Sequence, residues 1–140
     1  MNAVKSSVVV RLDMKTSQGK KKELLKTLEE LDPIIRREKG CRQFTISEPI
    51  QHEDTITVLE KWASSEDALR YFGSESFEVL SGAAFVLAKT LKMAINIELT
   101  TASIDLKSME SREKIYFWAE KTLSEAQNLK KTDLRKETHK

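Results

Sequence analysis

The chain has 140 residues, of which 39% are hydrophobic and 33% charged, a composition typical of one folded domain rather than of a disordered or fibrous protein. Its single cysteine, Cys41, cannot form an internal disulfide, and residues 1–16 lack the apolar run of a secretory signal, so we expect a cytoplasmic protein. No stretch approaches the roughly 20 apolar residues that span a bilayer, and we expect no membrane partner.

The formal net charge of +2 is spread unevenly along the chain. Residues 1–106 carry 15 basic and 16 acidic side chains, whereas residues 107–140 carry 9 and 6. The basic end has no aromatic residues between its last lysines and contains acids as well. We interpret it as a solvated end and expect no nucleic-acid partner.

The first predicted elements are a strand and a long helix. The sequence SVVVRLD (Ser7 to Asp13) alternates apolar and polar positions, as a half-buried strand does. Residues 19–40 then carry leucine and isoleucine at helical spacing, with Ser17 as the candidate N-cap. Pro33 lies inside this helix and predicts a kink there, or a restart with Asp32 as the cap.

Two further strands and two short helices follow. The stretches 41–47 and 54–62 alternate with period two and are predicted to form an antiparallel hairpin. Ser64, with Asp67 three residues later, resembles a capping box at the start of a helix that Gly73 closes. Ser74 is the candidate cap of the next helix. Residues 91–99 then form the clearest strand, with Leu99 as the last residue of its apolar face.

The order strand, helix, strand, strand, helix, strand predicts an α+β fold of the ferredoxin-like βαββαβ type, with four strands and helices on one face. The second face of the sheet lacks helices yet is half apolar. Val9, Cys41, Thr45, Leu59 and Ala94 fall on it. Such a face is often buried against a second copy, so we expect a homodimer in which two sheets close into a dimeric α/β barrel.

The end of the chain predicts one more helix, from about Ser108 to Lys131, with Ser108 or Ser111 as its cap. We expect it to dock through Tyr116, Trp118 and Leu123. The predicted organisation is therefore a ferredoxin-fold domain at 1–104 and a C-terminal helical extension with a charged tail at 105–140.

The sequence offers few groups for catalysis. The two histidines, His52 and His139, lie in a predicted loop and beside the C-terminus, so neither a metal site nor a histidine-based nucleophile is expected. Glycine-rich phosphate motifs are absent. Cys41 has no base beside it and is interpreted as a buried, inert thiol.

Glu60 is the exception, because alternation places it with Trp62 on the strand face that the helices cover. One interpretation is a structural carboxylate paired with arginine or with a backbone group. The other is a pocket acid with a raised pKa that can act as a base. Trp62 stands where the strand ends and the next helix begins, and is predicted to wall a cavity there.

Two stretches carry a resemblance to a known family. GKKKELLKTLEELDPIIRREKGCRQFTIS and ITVLEKWASSEDALRYFGSESFEVL resemble the antibiotic biosynthesis monooxygenase family. The family pattern joins a helix ending in Glu-x-Gly-Cys to a later Glu-x-Trp, a helix that begins at serine, and a Ser-x-x-Phe. The resemblance covers about residues 5–100.

The chain departs from the family pattern at two places. Many members have histidine nine residues after the tryptophan, where this chain has Tyr71. The haem-degrading branch has an axial histidine that would fall at about Ser81, so the resemblance does not extend to haem binding.

The resemblance implies a cofactor-free monooxygenase acting on a small aromatic or quinol-like substrate, with no metal. Glu60 and Tyr71 are then the catalytic candidates, and Trp62, Phe72 and Phe77 the substrate-binding candidates. The alternative is a non-enzymatic homodimer of the same fold that binds a small hydrophobic ligand or is purely structural.

Overall fold

The computed structural model describes residues 6–98, 100–109 and 111–138, with side chains as far as residue 126. Along the chain the elements are β1 (Val8–Thr16), α1 (Lys21–Arg36), β2 (Cys41–Ser47), β3 (Thr55–Trp62), α2 (Ser65–Phe72), α3 (Glu75–Leu87), β4 (Ala88–Ile97), β5 (Thr100–Asp105), a 3₁₀ turn (Leu106–Ser108) and α4 (Arg112–Thr138). The predicted α+β order is confirmed. Leu99, predicted to end the β4 face, lies outside the described residues.

The sheet has five antiparallel strands in the order β2-β3-β1-β4-β5. The prediction of four strands is therefore wrong by one. Strand β5 pairs with β4, Ile104 lying opposite Met93. Its sequence TTASID is mostly polar and its side chains are exposed or half-buried, so it lacks the apolar alternation by which the other strands were predicted.

Helix α1 is continuous through Pro33, so the predicted restart at Asp32 is wrong. Pro33 removes one backbone donor, but Pro33 and Glu29, whose carbonyl would accept from that donor, are both exposed, so water can take the place of the lost hydrogen bond. Ser17 is not the N-cap either. Lys20 holds that position and makes no capping hydrogen bond through its side chain.

The caps predicted for α2 and α3 are confirmed. The Ser64 hydroxyl accepts a hydrogen bond from the backbone N–H of Asp67, and the Ser74 hydroxyl accepts one from Phe77, both at 3.2 Å. Each cap satisfies a donor that the first turn of its helix would otherwise leave unpaired. These two contacts fix where α2 and α3 begin, and with them the positions of Tyr71 and Phe77.

Gly40 allows the start of β2 to approach α2. Its φ is +84°, in the left-handed region, and a Cβ at this position would lie 2.3 Å from the Asp67 side chain. Glycine alone fits both constraints. The close approach brings Cys41 and the end of α1 beside β3, the strand that carries Trp62.

Helix α4 docks on the helices of its own chain. Its apolar stripe is buried at Ile115, Ala119 and Leu123, while Tyr116 and Trp118 are half-buried against the core. Arg112 pairs with Glu78 of α3. Of the two predicted caps, Ser111 accepts a hydrogen bond from the backbone N–H of Lys114 at 3.3 Å, whereas Ser108 lies in the 3₁₀ turn.

The sheet has one covered and one open face. Helices cover the face that carries Val10, Val58 and Ile95, all at most 1% exposed. On the other face Val9, Leu59 and Ala94 are half-buried and Thr45 is exposed. Cys41 was predicted to lie on this face, but a register shift between Cys41 and Gln43 pairs it with Trp62 on the covered face. None of the described helices is both long and apolar enough to cross a membrane.

Candidate active site

Glu60 projects from β3 into the core beneath the helices. It lies opposite Val10 of β1 and Phe44 of β2, and its exposed fraction is zero. A carboxylate in such surroundings is stable only when its oxygens are hydrogen-bonded. The partners that it has therefore define the site.

Two aromatic side chains donate to the carboxylate, one to each oxygen. The Trp62 indole Nε1 donates to Oε1 at 3.0 Å, and the Tyr71 hydroxyl donates to Oε2 at 2.9 Å. Trp62 shares the strand face with Glu60, and Tyr71 reaches it from α2. The structural interpretation in which arginine or a backbone group satisfies Glu60 is not what is observed.

Burial raises the pKa of Glu60 to about 7, although its hydrogen bonds to Trp62 and Tyr71 act in the opposite direction. Burial, followed by the charge of Glu60, raises the pKa of Tyr71 well above its usual range. Tyr71 therefore stays protonated near neutral pH, while Glu60 changes its charge. Of the two candidate catalytic groups, only Glu60 exchanges a proton in the physiological range.

An aromatic cluster encloses this pair. The Tyr71 ring stacks on Trp62 with centroids 4.4 Å apart and on Phe77 with centroids 5.4 Å apart. Phe72 packs against Phe77 at 5.1 Å. Trp62, Tyr71, Phe72 and Phe77 are each at most 2% exposed. The structure thus brings together all five residues that the sequence singled out, in a closed arrangement. Trp62 has no exposed surface, so the prediction that it walls a cavity is wrong: the neighbouring rings fill that space.

Comparison with protein families relates this chain to a known family. The family model described as antibiotic biosynthesis monooxygenase matches residues 7–81, which include Glu60 and the whole aromatic cluster. The chain belongs to this family. Strands β4 and β5 and helix α4 lie beyond the matched part. None of the curated proteins compared with the chain matches it.

Solved structures agree with this family at the level of the fold. A protein of Pseudomonas aeruginosa is 18% identical, with a TM-score of 0.63 over 71% of this chain and 100% of its own. A Shewanella oneidensis protein is 17% identical, with a TM-score of 0.62 over 71% and 94%. A protein of Chloroflexus aurantiacus, named as a candidate antibiotic biosynthesis monooxygenase, is 18% identical, with a TM-score of 0.57 over 68% and 95%.

Sequence reasoning did not place Phe44 and Cys41 beside this candidate site. Phe44 is fully buried opposite Glu60, and Cys41 lies opposite Trp62. Cys41 is half-buried rather than buried as predicted, and burial, with the charge of Glu60, raises the pKa of its thiol. The predicted β2–β3 hairpin could have identified both residues, because the register of the hairpin determines which β2 residues lie opposite Glu60 and Trp62.

The described part of the chain contains no group of three His, Cys, Asp or Glu side chains placed to hold a metal ion. His52 is exposed in the loop before β3, and His139 lies outside the described residues.

A separate cavity of about 460 Å³ is lined by residues that include Lys15, Asp54 and Lys89. Lys15 pairs with Thr55 at the start of β3, so this cavity lies at the opposite end of the strand from Trp62. Its lining carries charges of both signs and differs in character from the aromatic cluster. We do not assign the oxygenase chemistry to it.

Proposed function

We propose that this protein is a cofactor-independent monooxygenase that oxidises a small aromatic, quinol- or anthrone-like substrate beside Glu60. The observation that carries the proposal is a fully buried carboxylate, surrounded by aromatic rings, with a pKa of about 7. A general base is most effective when its pKa lies near the working pH. The family supports monooxygenase chemistry in general, and the substrate class is inferred from the aromatic surroundings.

In the proposed reaction the substrate itself reduces dioxygen. For an anthrone, Glu60 removes a proton from the activated CH₂ group, and the carbanion transfers electrons to dioxygen and forms a carbon–oxygen bond. The peroxide takes up a proton; loss of the remaining C–H proton and of hydroxide then leaves the carbonyl and water. One oxygen atom enters the product, the other becomes water, and the substrate supplies all four electrons, so no reductant is required.

The neighbouring side chains have distinct roles in this proposal. The Tyr71 hydroxyl donates a hydrogen bond to the Glu60 carboxylate. After Glu60 has taken up a proton, the Tyr71 oxygen can accept a hydrogen bond from the Glu60 carboxyl O–H. Trp62, Phe72 and Phe77 provide the flat apolar surfaces for an aromatic ring. Since these rings pack on one another in the structure, substrate entry requires them to separate. We assign that movement to α2, which has only eight residues and ends at Gly73.

Oxygen uptake tests the proposal. The protein is presented with a panel of quinols and anthrones, and the wild type is compared with Glu60→Gln, Tyr71→Phe and the exposed control Glu30→Gln. We expect uptake with at least one compound, a loss of roughly 10²-fold or more in Glu60→Gln, and no change in the control. Equal uptake by the wild type and Glu60→Gln would contradict the proposal. Binding without uptake would instead favour the non-enzymatic alternative.

We also propose that two copies associate through the open sheet face. Support comes from Val9, Leu59 and Ala94, apolar side chains that the single chain leaves half-covered near the middle of this face. Pairing would bury them and would also shield the sheet from water. Each copy would keep its own Glu60 site, because that site lies on the opposite face under the helices.

A further inference from the structure

Helix α3 is apolar on two sides. Its inner side packs into the core through Phe77, Leu80, Ala84 and Leu87. At about 100° per residue, a second row lies along a different side of the helix and consists of Val79, Gly82, Ala83 and Val86. We call it the outer row. Val79 is 45% exposed and Val86 is 74% exposed, whereas helices that are apolar all round are normally covered all round.

Gly82 lies in the outer row at a place where the single chain needs no glycine. Apart from its chain neighbours and the adjacent backbone of its own helix, a Cβ built there meets no described atom within 4 Å, and the backbone is not left-handed. Glycine inside a helix is less stable than alanine, and one use that offsets this cost is the close approach of another backbone. Gly82 therefore points to a chain that passes directly over the outer row.

We propose that the outer row packs against α3 of a second copy of this chain, antiparallel to it, across a two-fold axis between Gly82 and Ala83. With this axis Val79 of one copy lies opposite Val86 of the other, and Gly82 lies opposite Ala83. Each valine gains an apolar partner, and the small residues at the centre let the two helices approach closely. Both copies contribute the same surface, as two-fold symmetry requires.

Charges at the two ends of α3 favour a second copy in this orientation. Glu75 lies in line with the outer row, one turn before Val79. At the other end, Lys89 is exposed just after the helix. Antiparallel packing about the proposed axis brings Glu75 of each copy level with residue 90 of the other, next to Lys89. Parallel packing would bring the two Glu75 carboxylates together.

This contact is distinct from the open sheet face, because α3 covers the other side of the sheet. The two surfaces can therefore be tested independently. If both are used, one copy takes part in two isologous interfaces, and the assembly is larger than a dimer.

Sedimentation velocity of the full chain is the first test, with Val86→Glu compared with Phe117→Glu. Phe117 is 68% exposed on α4, so it controls for adding a charge at an exposed apolar position. We expect Val86→Glu to halve the mass of the assembly at a concentration where the wild type is fully associated, and Phe117→Glu to leave it unchanged. A Val86→Glu protein that sediments like the wild type overturns the proposal.

Disulfide formation tests the orientation. Cys41, the single cysteine, is replaced by serine, and Val79→Cys and Val86→Cys are introduced on separate copies. Across the proposed axis residues 79 and 86 face each other, whereas two copies of residue 79 are about 10 Å apart, and a disulfide needs Cα atoms within about 7 Å. We expect rapid oxidation to a linked dimer only when the two variants are mixed. Equal linking of either variant alone, or no linking in the mixture, contradicts the antiparallel contact.

Discussion

The Glu60 carboxylate is held by two donors and destabilised by complete burial, and burial has the larger effect on its pKa. Its ordinary pKa is 4.5, and in the folded chain it is about 7. The folded protein therefore binds one more proton than the unfolded chain between these values. Because the folded state binds the extra proton, the free energy of unfolding depends on pH through Glu60 and decreases as pH rises.

Stability should fall as pH rises from about 5 to about 8. Because the pKa is raised on folding, the free energy of unfolding contains a contribution from Glu60 that decreases by about 3 kcal/mol over this interval. Urea unfolding of the wild type and of Glu60→Gln at both pH values measures it. We expect the variant to gain about 3 kcal/mol relative to the wild type at the higher pH. Parallel pH profiles for the two proteins would show that Glu60 titrates normally.

Replacing Tyr71 with Phe should raise the pKa of Glu60 further. The change removes the hydroxyl that donates to Oε2 and leaves the ring stacked between its neighbours. Above pH 7 the buried carboxylate then lacks one donor, at a cost of about 1 to 3 kcal/mol. Denaturant unfolding at high and low pH measures the difference. Tyr116→Phe, at the half-buried second tyrosine on α4, is the matched control and should change stability little at either pH.

At the scale of the elements, the caps of α2 and α3 determine how the aromatic cluster is assembled. Tyr71 lies at the end of α2, and Phe77 lies three residues after the Ser74 cap. A cap that fails would let the first turn of α3 fray and would loosen the contact of Phe77 with Tyr71. The caps thus connect local sequence to the geometry around Glu60.

Ser74→Ala should destabilise the protein by about 1 kcal/mol, because the N–H of Phe77 loses its acceptor. Thermal unfolding gives the value. Ser124→Ala, at an exposed position inside α4, is the control, and there alanine should be neutral or slightly stabilising. A loss of stability that is the same in both variants would show that the Ser74 cap contributes nothing specific.

The sequence predicted those elements whose residues show a clear periodicity or a capping pattern. Strands β1 and β3 alternate cleanly, and Ser64 and Ser74 precede their helices at the spacing of a cap. Strand β5 was missed because its polar sequence is held by pairing with β4, a contact that alternation does not report. The start of α1 was misplaced because Lys20 occupies the N-cap without a side-chain hydrogen bond.

The sequence predicted which residues form the candidate site, but it did not predict the hydrogen bonds between them or how closely they pack. Period two places Glu60 and Trp62 on one face, and helical spacing brings Tyr71 towards them. That the indole N–H turns back to Glu60 depends on its rotamer, which sequence does not specify. Whether the rings leave a cavity or close on one another depends on packing of the whole core, and the structure shows them closed.

At the scale of the whole molecule, the open sheet face predicts association. Val9→Glu places a charge near the centre of this face on the central strand β1, where the single chain leaves the side chain half-buried. If two sheets pack together, the added carboxylate would be buried between them, and Lys61, directly opposite on β3, would only partly offset the cost of burying the charge. We expect the variant to sediment at half the mass of its parent while it keeps its fold by circular dichroism. Unchanged association would locate any dimer contact elsewhere.

The most direct test of the oxygenase proposal is the pH dependence of oxygen uptake with the best substrate of the panel. If Glu60 is the base, the rate should rise with pH, reach half of its maximum near pH 7, where Glu60 loses its proton, and be lost in Glu60→Gln across the whole range. A rate that does not depend on pH between about 5 and 9, or that survives in Glu60→Gln with the same profile, would contradict a catalytic role for Glu60.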